Sequence, residues 1–220
     1  MTRIADEICR IGRSLYERGY VHASAGNISA RVDAEEGGGW LITPTDACLG
    51  TLEAGRLARI DGQGTQLAGD RASKTLALHR RIYAADPAVR CVIHTHATHV
   101  VALTLAGVWH VDDVVPPITP YFVMKVGHVP LIPYYRPGDP EAGEQVTRAI
   151  EAAAQRGVPL RAVVLDRLGP VVWHRSLAEA SATLEELEET AKLWLLTGRR
   201  TEPLDEARLD QLRRAFGAAW

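Results

Sequence analysis

Short apolar runs alternate with turn residues between positions 27 and 62, and this pattern constrains the fold more than any other in the chain. The runs 27–32, 40–43 and 57–60 have the length of strands, and Gly37-Gly38-Gly39 and Asp61-Gly62 follow the first and the third. Turn-rich connections favour hairpins, whereas parallel strands need a crossover of roughly a dozen residues or more. We therefore predict an antiparallel meander rather than βαβ units.

Helical periodicity marks the segments around this meander. Apolar residues recur at spacings of three and four from Ile4 to Leu15, so a first helix is expected, capped by Thr2 and ending near Gly19. Further helical segments are predicted over 73–83, 100–105, 140–155 and 177–196 and after Pro203. Strands are predicted over 91–94, 129–132, 162–165 and 171–173, and an irregular loop over the proline-rich stretch 116–120. No internal repeat or linker is visible, which favours one α+β domain over 1–220.

Charge and cysteine content exclude several classes of partner and site. The formal net charge of -2, from 25 Lys+Arg against 27 Asp+Glu, argues against nucleic acid or an anionic membrane as a partner. The three cysteines form no C-x-x-C pair, which argues against a disulfide framework and a cysteine zinc site. No uncharged apolar run approaches the roughly 18 residues that cross a bilayer, and charges interrupt the N-terminal apolar residues. We expect a cytoplasmic protein.

Three histidines, His94, His96 and His99, lie within six consecutive positions. Residues two apart on a strand point to the same face, so His94 and His96 can present two imidazoles to one metal ion. Neutral imidazole suits zinc and similar divalent ions. An H-x-H pair is also typical of two polar residues at a strand end, and His99, on the following helix, can either ligate or merely orient a ligand.

Three further segments carry groups that suit an anion. Gly26-Asn27 and Thr43-Pro44-Thr45 lie in predicted turns, where backbone N–H groups and hydroxyls can cradle an anion. Ser73-Lys74-Thr75 opens a predicted helix, whose first N–H groups and the Lys74 ammonium favour a phosphate or a carboxylate. In isolation, ordinary turn chemistry is the more common explanation of the first two segments. A capped helix with a solvated lysine explains the third segment as well as anion binding does.

The order and spacing of these pieces resemble the class II aldolase/adducin family. The resemblance rests on 24–29 (Ser-Ala-Gly-Asn-Ile-Ser), 42–45 (Ile-Thr-Pro-Thr), 73–79 and 94–96 (His-Thr-His), and it extends to about Gly198. It implies a single α/β/α three-layer domain around a mainly antiparallel sheet. It also implies a homotetramer of four-fold symmetry, with active sites between neighbouring subunits.

Other segments resemble one branch of this family, the 3-oxo-tetronate 4-phosphate decarboxylases. These segments are 48–50, 117–121, 126–127, 133–139 and 185–191. That branch releases carbon dioxide from a small phosphorylated sugar acid and leaves dihydroxyacetone phosphate. The resemblance implies that His94 and His96 bind a divalent metal, expected to be zinc. It implies a phosphate pocket lined by Gly26, Asn27, Thr45 and Ser73.

Two positions depart from the family pattern. Many members carry a third histidine ligand where this chain has Leu168, and a glutamate acid/base where it has Thr75. Two ligands are fewer than the three expected of a catalytic zinc site. His99, His128 or a residue of a neighbouring subunit could complete the set, as could substrate and water. Alternatively the site holds no metal, and the chain is a non-catalytic homologue.

The departures bear differently on the candidate reactions. Retro-aldol cleavage must remove a hydroxyl proton, so losing a carboxylate at Thr75 weighs against an aldolase or epimerase. Decarboxylation of a 3-oxo acid mainly needs stabilisation of negative charge on the oxo oxygen. We predict Lys74 as a cation for the substrate and Tyr121 as a proton donor. A carboxy-lyase is therefore favoured.

Overall fold

The computed structural model describes residues 3–220, which form one eight-stranded sheet covered by helices. In chain order the strands are β1 (Asn27–Arg31), β2 (Trp40–Ile42), β3 (Ala58–Ile60), β4 (Gln66–Ala68), β5 (Cys91–His94), β6 (Leu131–Ile132), β7 (Ala162–Leu165) and β8 (Gly169–His174). Their order across the sheet is β4-β3-β2-β1-β5-β8-β7-β6. Only β6 and β7 pair in parallel within the described chain, so the predicted meander and the mainly antiparallel sheet are confirmed.

Seven α-helices are present in the described residues. They are α1 (Arg3–Glu17), α2 (Leu76–Ala85), α3 (Thr98–Ala106), α4 (Pro120–Lys125), α5 (Pro140–Gln155), α6 (Leu177–Leu196) and α7 (Glu206–Phe216). The predicted bounds of α5 and α6 are confirmed. Asp139 caps α5 by accepting a hydrogen bond from the Glu141 N–H at 3.1 Å, and Ser176 caps α6 in the same way. The predicted cap of α1, Thr2, lies outside the described residues.

The sheet separates two apolar cores, which makes the three-layer α/β/α architecture. On one face, Ile93 of β5 packs in a core with Ile8 of α1 and Leu184 of α6. On the other, Val92 packs in a core with Ile82 of α2 and Val146 of α5. Successive strand residues point to opposite faces, so β5, in the middle of the sheet, contributes to both cores. His94 lies two residues beyond Val92 and therefore points towards the α2 and α5 layer.

Three elements differ from the sequence predictions. The exposed edge strand β4 was not predicted, because none of its three residues is buried and no apolar alternation marks it. The proline-rich stretch runs into helix α4, where Thr119 accepts a hydrogen bond from the Phe122 N–H at 3.1 Å. Helix α2 begins at Leu76, so Ser73-Lys74-Thr75 forms the turn that leads into it.

No helix among residues 3–220 has the length and apolar character that a membrane span requires.

Candidate active site

A cavity of about 370 Å³ lies on the α2 and α5 side of the sheet. Its lining comes from 24–27, 44–46, 73–75, 77–78, Arg81, His94, His96, Pro133, 135–140, 142–143, Leu165 and Leu168. The predicted anion-binding residues and the predicted metal ligands thus line one cavity. The roles of these residues stay predictions.

The two imidazoles in this cavity lie next to each other near the end of β5, with their ring planes tilted by 58°. The ring centroids of His94 and His96 are 5.2 Å apart. His94 is 4% exposed, and its Nδ1 lies 2.9 Å from the carbonyl oxygen of Pro170 on β8. Because a carbonyl only accepts, Nδ1 donates the proton and the lone pair of Nε2 is left free. This is the tautomer that a metal ligand needs.

Burial keeps both imidazoles neutral. It lowers the pKa of His94 to about 4, with a smaller effect of His96 in the same direction and an opposing one from the bond to Pro170. Burial, and then His22, also lowers the pKa of His96. The strand ends at His94, so His96 lies in the connection to α3 rather than on the strand.

Strand pairing and one glycine set the wall beside the imidazoles. Asn27 of β1 is the cross-strand partner of His94. Gly26 has φ +81°, and a Cβ there would lie 2.8 Å from the His94 carbonyl oxygen and 2.9 Å from a methyl of Val21. A side chain at this position would therefore clash with the backbone of the histidine strand. The Asn27 Oδ1 atom is buried without a hydrogen-bond partner among the described residues.

Backbone pairing brings the two hydroxyl segments together. The Thr45 N–H donates to the Arg71 carbonyl at 2.8 Å, and the Ser73 N–H donates to the Thr43 carbonyl at 3.2 Å. Thr45 and Ser73 consequently line the same wall, although 28 positions of sequence number separate them. The hydroxyls of Ser73 and Thr75 are 2.9 Å apart.

Three cationic side chains line the cavity, each near a carboxylate. Lys74 Nζ lies 3.9 Å from Asp46. Arg81 lies 3.1 Å from Glu144, and Arg136 lies 3.5 Å from Asp139. Sequence reasoning missed both arginines as site residues. Arg136 carries a signal, since it lies within segment 133–139 that resembles the decarboxylase branch, whereas no sequence signal distinguishes Arg81 from the other residues of α2.

Three candidate residues are not in the cavity of this chain. Tyr121 is 63% exposed on α4 and does not line it. His99 Nδ1 is bound to the buried Glu188 at 2.7 Å. His128 Nδ1 lies 2.8 Å from Asp113, and the His128 ring stacks on Trp220 at 4.3 Å. Neither His99 nor His128 therefore completes a ligand set with His94 and His96 in this arrangement.

The cavity supplies two of the three protein ligands that a catalytic zinc site is expected to have. Leu168 and Thr75, at the two positions of departure, both line the cavity, and only the Thr75 hydroxyl is a polar group. Among residues 3–220, no three histidine, cysteine or carboxylate side chains converge closely enough to hold an ion as they stand. Two neutral imidazoles with one free lone pair already fixed suit a divalent metal, and a third protein donor has to be brought to them.

Two curated proteins that are similar to this chain are named as decarboxylases of the same kind. A 3-oxo-tetronate 4-phosphate decarboxylase from Cupriavidus necator is 55% identical to this chain, and the match covers 100% of this chain and 98% of that protein. A 3-oxo-tetronate 4-phosphate decarboxylase from Pectobacterium atrosepticum is 41% identical, covering 90% of this chain and 86% of that protein.

Solved structures and a family profile agree with this similarity. The crystal structure of YgbL from Escherichia coli has a TM-score of 0.84 and 39% identity, covering 96% of this chain and 97% of that one. L-fuculose-1-phosphate aldolase from Thermus thermophilus has a TM-score of 0.74 over 92% of this chain and 99% of that one; at 24% identity it shows the fold alone. The profile of the Class II Aldolase and Adducin N-terminal domain matches residues 6–195. The chain therefore belongs to the class II aldolase and adducin family.

Proposed function

We propose that this chain is a carboxy-lyase that converts 3-oxo-tetronate 4-phosphate into dihydroxyacetone phosphate and carbon dioxide. The observation that carries the proposal is one cavity lined by a neutral imidazole pair, by hydroxyl and amide groups, and by three cations. The full-length similarity to decarboxylases named for this substrate supports the same reaction.

The substrate carries two anionic groups, and the cavity offers cations for both. We assign the phosphate to the wall formed by Gly26, Asn27, Thr45 and Ser73, where a side-chain amide and two hydroxyls meet. Lys74 lies beside Ser73 and adds positive charge to that wall. Arg81 and Arg136 are the cations that we assign to the carboxylate of the substrate.

The reaction breaks the bond between C1 and C2 of the substrate. C1 leaves with its two oxygens as carbon dioxide, and the electron pair of the broken bond passes into the C2–C3 unit, placing negative charge on the oxygen of the 3-oxo group. A proton then adds to C2 to give dihydroxyacetone phosphate. A divalent metal ion held by His94 and His96 supplies positive charge in this cavity when it is bound. The Lys74 ammonium contributes further positive charge, and Tyr121 of a neighbouring subunit is our candidate for the proton donor.

The lining of the cavity favours decarboxylation over aldol cleavage. Thr75 lines the cavity, and its hydroxyl is held to Ser73 at 2.9 Å. A threonine hydroxyl is too weak a base to remove a substrate hydroxyl proton, which is the first requirement of retro-aldol cleavage. Loss of carbon dioxide requires no such base.

Family resemblance supports three further parts of the proposal. We propose zinc as the metal, since neutral imidazole nitrogen suits it. We propose a cytoplasmic homotetramer with active sites between subunits, an arrangement that would allow the exposed Tyr121 to reach a neighbouring cavity. We also propose that residues 1–220 act as a single domain.

The test is a product assay on the purified protein. The protein is incubated with 3-oxo-tetronate 4-phosphate and Zn²⁺, Mn²⁺ or Mg²⁺; dihydroxyacetone phosphate and carbon dioxide are both measured. Equal amounts of the two products are expected, and the double variant His94→Ala/His96→Ala should lose the activity. Release of an aldehyde without carbon dioxide would indicate an aldolase instead. No product with any metal would contradict the proposal and favour a non-catalytic homologue.

A further inference from the structure

A third imidazole lies next to the histidine pair, on a different segment of the chain. His22 stands edge-on to His96, with ring centroids 6.4 Å apart and ring planes at 75°. Two residues after His22, at Ser24, the chain enters the anion-binding segment that lines the cavity. The H-x-H pattern gives no hint of His22, because only folding brings residues 22 and 96 together.

The separations of His96 from His94 and from His22 can be compared with those of imidazoles that share one ion. A metal–nitrogen bond of about 2.0–2.1 Å puts each ring centroid roughly 3.2 Å from the ion, so two tetrahedral ligands have centroids about 5.2 Å apart. The His94–His96 separation of 5.2 Å equals that value. Ligands on opposite sides of an ion would have centroids about 6.4 Å apart. His22 therefore needs to approach His96 by about 1 Å to reach the separation of two tetrahedral ligands.

The backbone at His22 is held in place, whereas its side chain is free to rotate. The His22 carbonyl accepts a hydrogen bond from the Ala25 N–H at 2.9 Å, and the preceding residues, Tyr20 and Val21, are buried. The side chain of His22 itself is exposed. Rotation about its side-chain bonds would move the ring towards His96 without repacking a core.

We infer that His22 supplies the third imidazole of the metal site, in place of the donors that Leu168 and Thr75 do not provide. The inference rests on the metal site of the proposed function and concerns the source of its third ligand. The other candidates of this chain are bound elsewhere: His99 to Glu188, and His128 to Asp113. His22 is the histidine whose ring lies beside His96 while its side chain is exposed.

Metal binding tests the inference without relying on turnover. The metal-free protein is titrated with Co²⁺, whose visible absorption reports coordination number, and with Zn²⁺ in competition with a coloured chelator. His22→Ala is compared with the native chain and with His110→Ala. His110 is a matched control because it is also exposed and lies outside the cavity.

We expect one ion per chain in the native protein, with the intense absorption of four-coordinate Co²⁺. His22→Ala should lower the affinity for both ions at least about tenfold and weaken the absorption, because losing a ligand costs no less than losing a group that orients one. His110→Ala should change neither. Equal urea midpoints for the three proteins would confirm that folding is unaffected.

Two results would overturn the inference: native affinity and absorption in His22→Ala, or no metal bound by the native protein. Failure of the proposed function looks different. If the native chain binds metal through His22 but forms no dihydroxyacetone phosphate, the ligand assignment holds and the reaction is wrong. If product forms and His22→Ala retains native metal binding, the reaction holds and the ligand assignment is wrong.

Discussion

Glu188 and His99 are joined by two hydrogen bonds. Oε1 of Glu188 accepts one from the His99 backbone N–H at 2.9 Å and one from the ring Nδ1 at 2.7 Å, while Oε2 accepts a third from the Val100 N–H at 3.0 Å. The carboxylate is 2% exposed on α6 and caps the first turn of α3. Because α3 begins two residues after His96, this cap fixes the end of the segment that carries the imidazole pair.

Replacing Glu188 should destabilise the fold. Glu188→Ala leaves the part-buried His99 N–H and the buried Val100 N–H without their acceptor, so we expect the free energy of unfolding to fall by about 2–4 kcal/mol. Glu188→Gln keeps one accepting oxygen, so its free energy of unfolding should lie between those of Glu188→Ala and the native chain. Urea unfolding measures both. Glu151→Ala on the exposed face of α5 is the control, with an expected change within about 0.5 kcal/mol. If Glu188→Ala and Glu151→Ala lowered the free energy of unfolding equally, the cap would not contribute to stability.

Gly26 should tolerate no side chain. Gly26→Ala places a Cβ 2.8 Å from the His94 carbonyl at a φ of +81°, and we expect a loss of about 2–4 kcal/mol in stability together with weaker binding of the phosphorylated substrate. Gly55→Ala is the matched control, because no atom lies within 4 Å of a Cβ at Gly55. Thermal unfolding and the KM of the decarboxylase assay provide the measurements. A Gly26→Ala protein that matches Gly55→Ala in both would contradict the close approach.

Adding an imidazole at Leu168 should strengthen metal binding. Leu168 lines the cavity with His94 and His96, so Leu168→His restores the kind of donor that many family members carry there. We expect at least about a tenfold gain in Zn²⁺ affinity. Leu196→His adds an imidazole at a position that is 73% exposed and should leave Zn²⁺ affinity unchanged. Equal affinities in the two variants would mean that residue 168 does not face the ion.

Arg136 should matter for substrate affinity. Neutralising it in Arg136→Gln removes a cation from the cavity wall, and we expect the KM for 3-oxo-tetronate 4-phosphate to rise about 5- to 10-fold. Arg10→Gln, on the exposed surface of α1 and outside the cavity, should leave KM unchanged. An unchanged KM in Arg136→Gln would remove this arginine from the carboxylate-binding assignment.

Stability should fall below neutral pH because of His79. This histidine is fully buried, and burial, with a smaller effect of His94, lowers its pKa from 6.5 to about 3. The unfolded chain therefore binds a proton between these values while the folded chain does not, so acidification favours unfolding. The contribution of His79 to the free energy of unfolding is complete above pH 6.5. Below pH 6.5 this contribution should decline by about 1.4 kcal/mol per pH unit.

Urea unfolding of the metal-free protein at several pH values measures this slope. His79→Asn removes the titrating group and retains an amide that can bond to Ser29, so the slope below pH 6.5 should become shallower. His110 is exposed, so His110→Asn should keep the native dependence of stability on pH. A native slope in His79→Asn would assign the acid sensitivity to other groups.

Interactions between residues close in sequence were sufficient to predict the bounds of two helices. Asp139 before Pro140 and Ser176 before Leu177 are start signals that act within one helical turn, so the bounds of α5 and α6 could be predicted. Helix α4 could not, because its six residues are too few for periodicity. Its stability depends on the Thr119 cap and on burying Phe122 against other elements.

The sequence by itself determined the strand that ends at His94, the turn residues of the proposed phosphate wall and the family to which the chain belongs. Only the tertiary structure decided what surrounds them: Glu188 holds His99 away from the cavity, Arg81 and Arg136 line it, and His22 lies beside His96. The physical reason is that secondary structure follows from interactions within a few residues, whereas a site is made by the packing of distant segments. The proposed ligand set therefore depends on how strand β5 and the loop before β1 pack together.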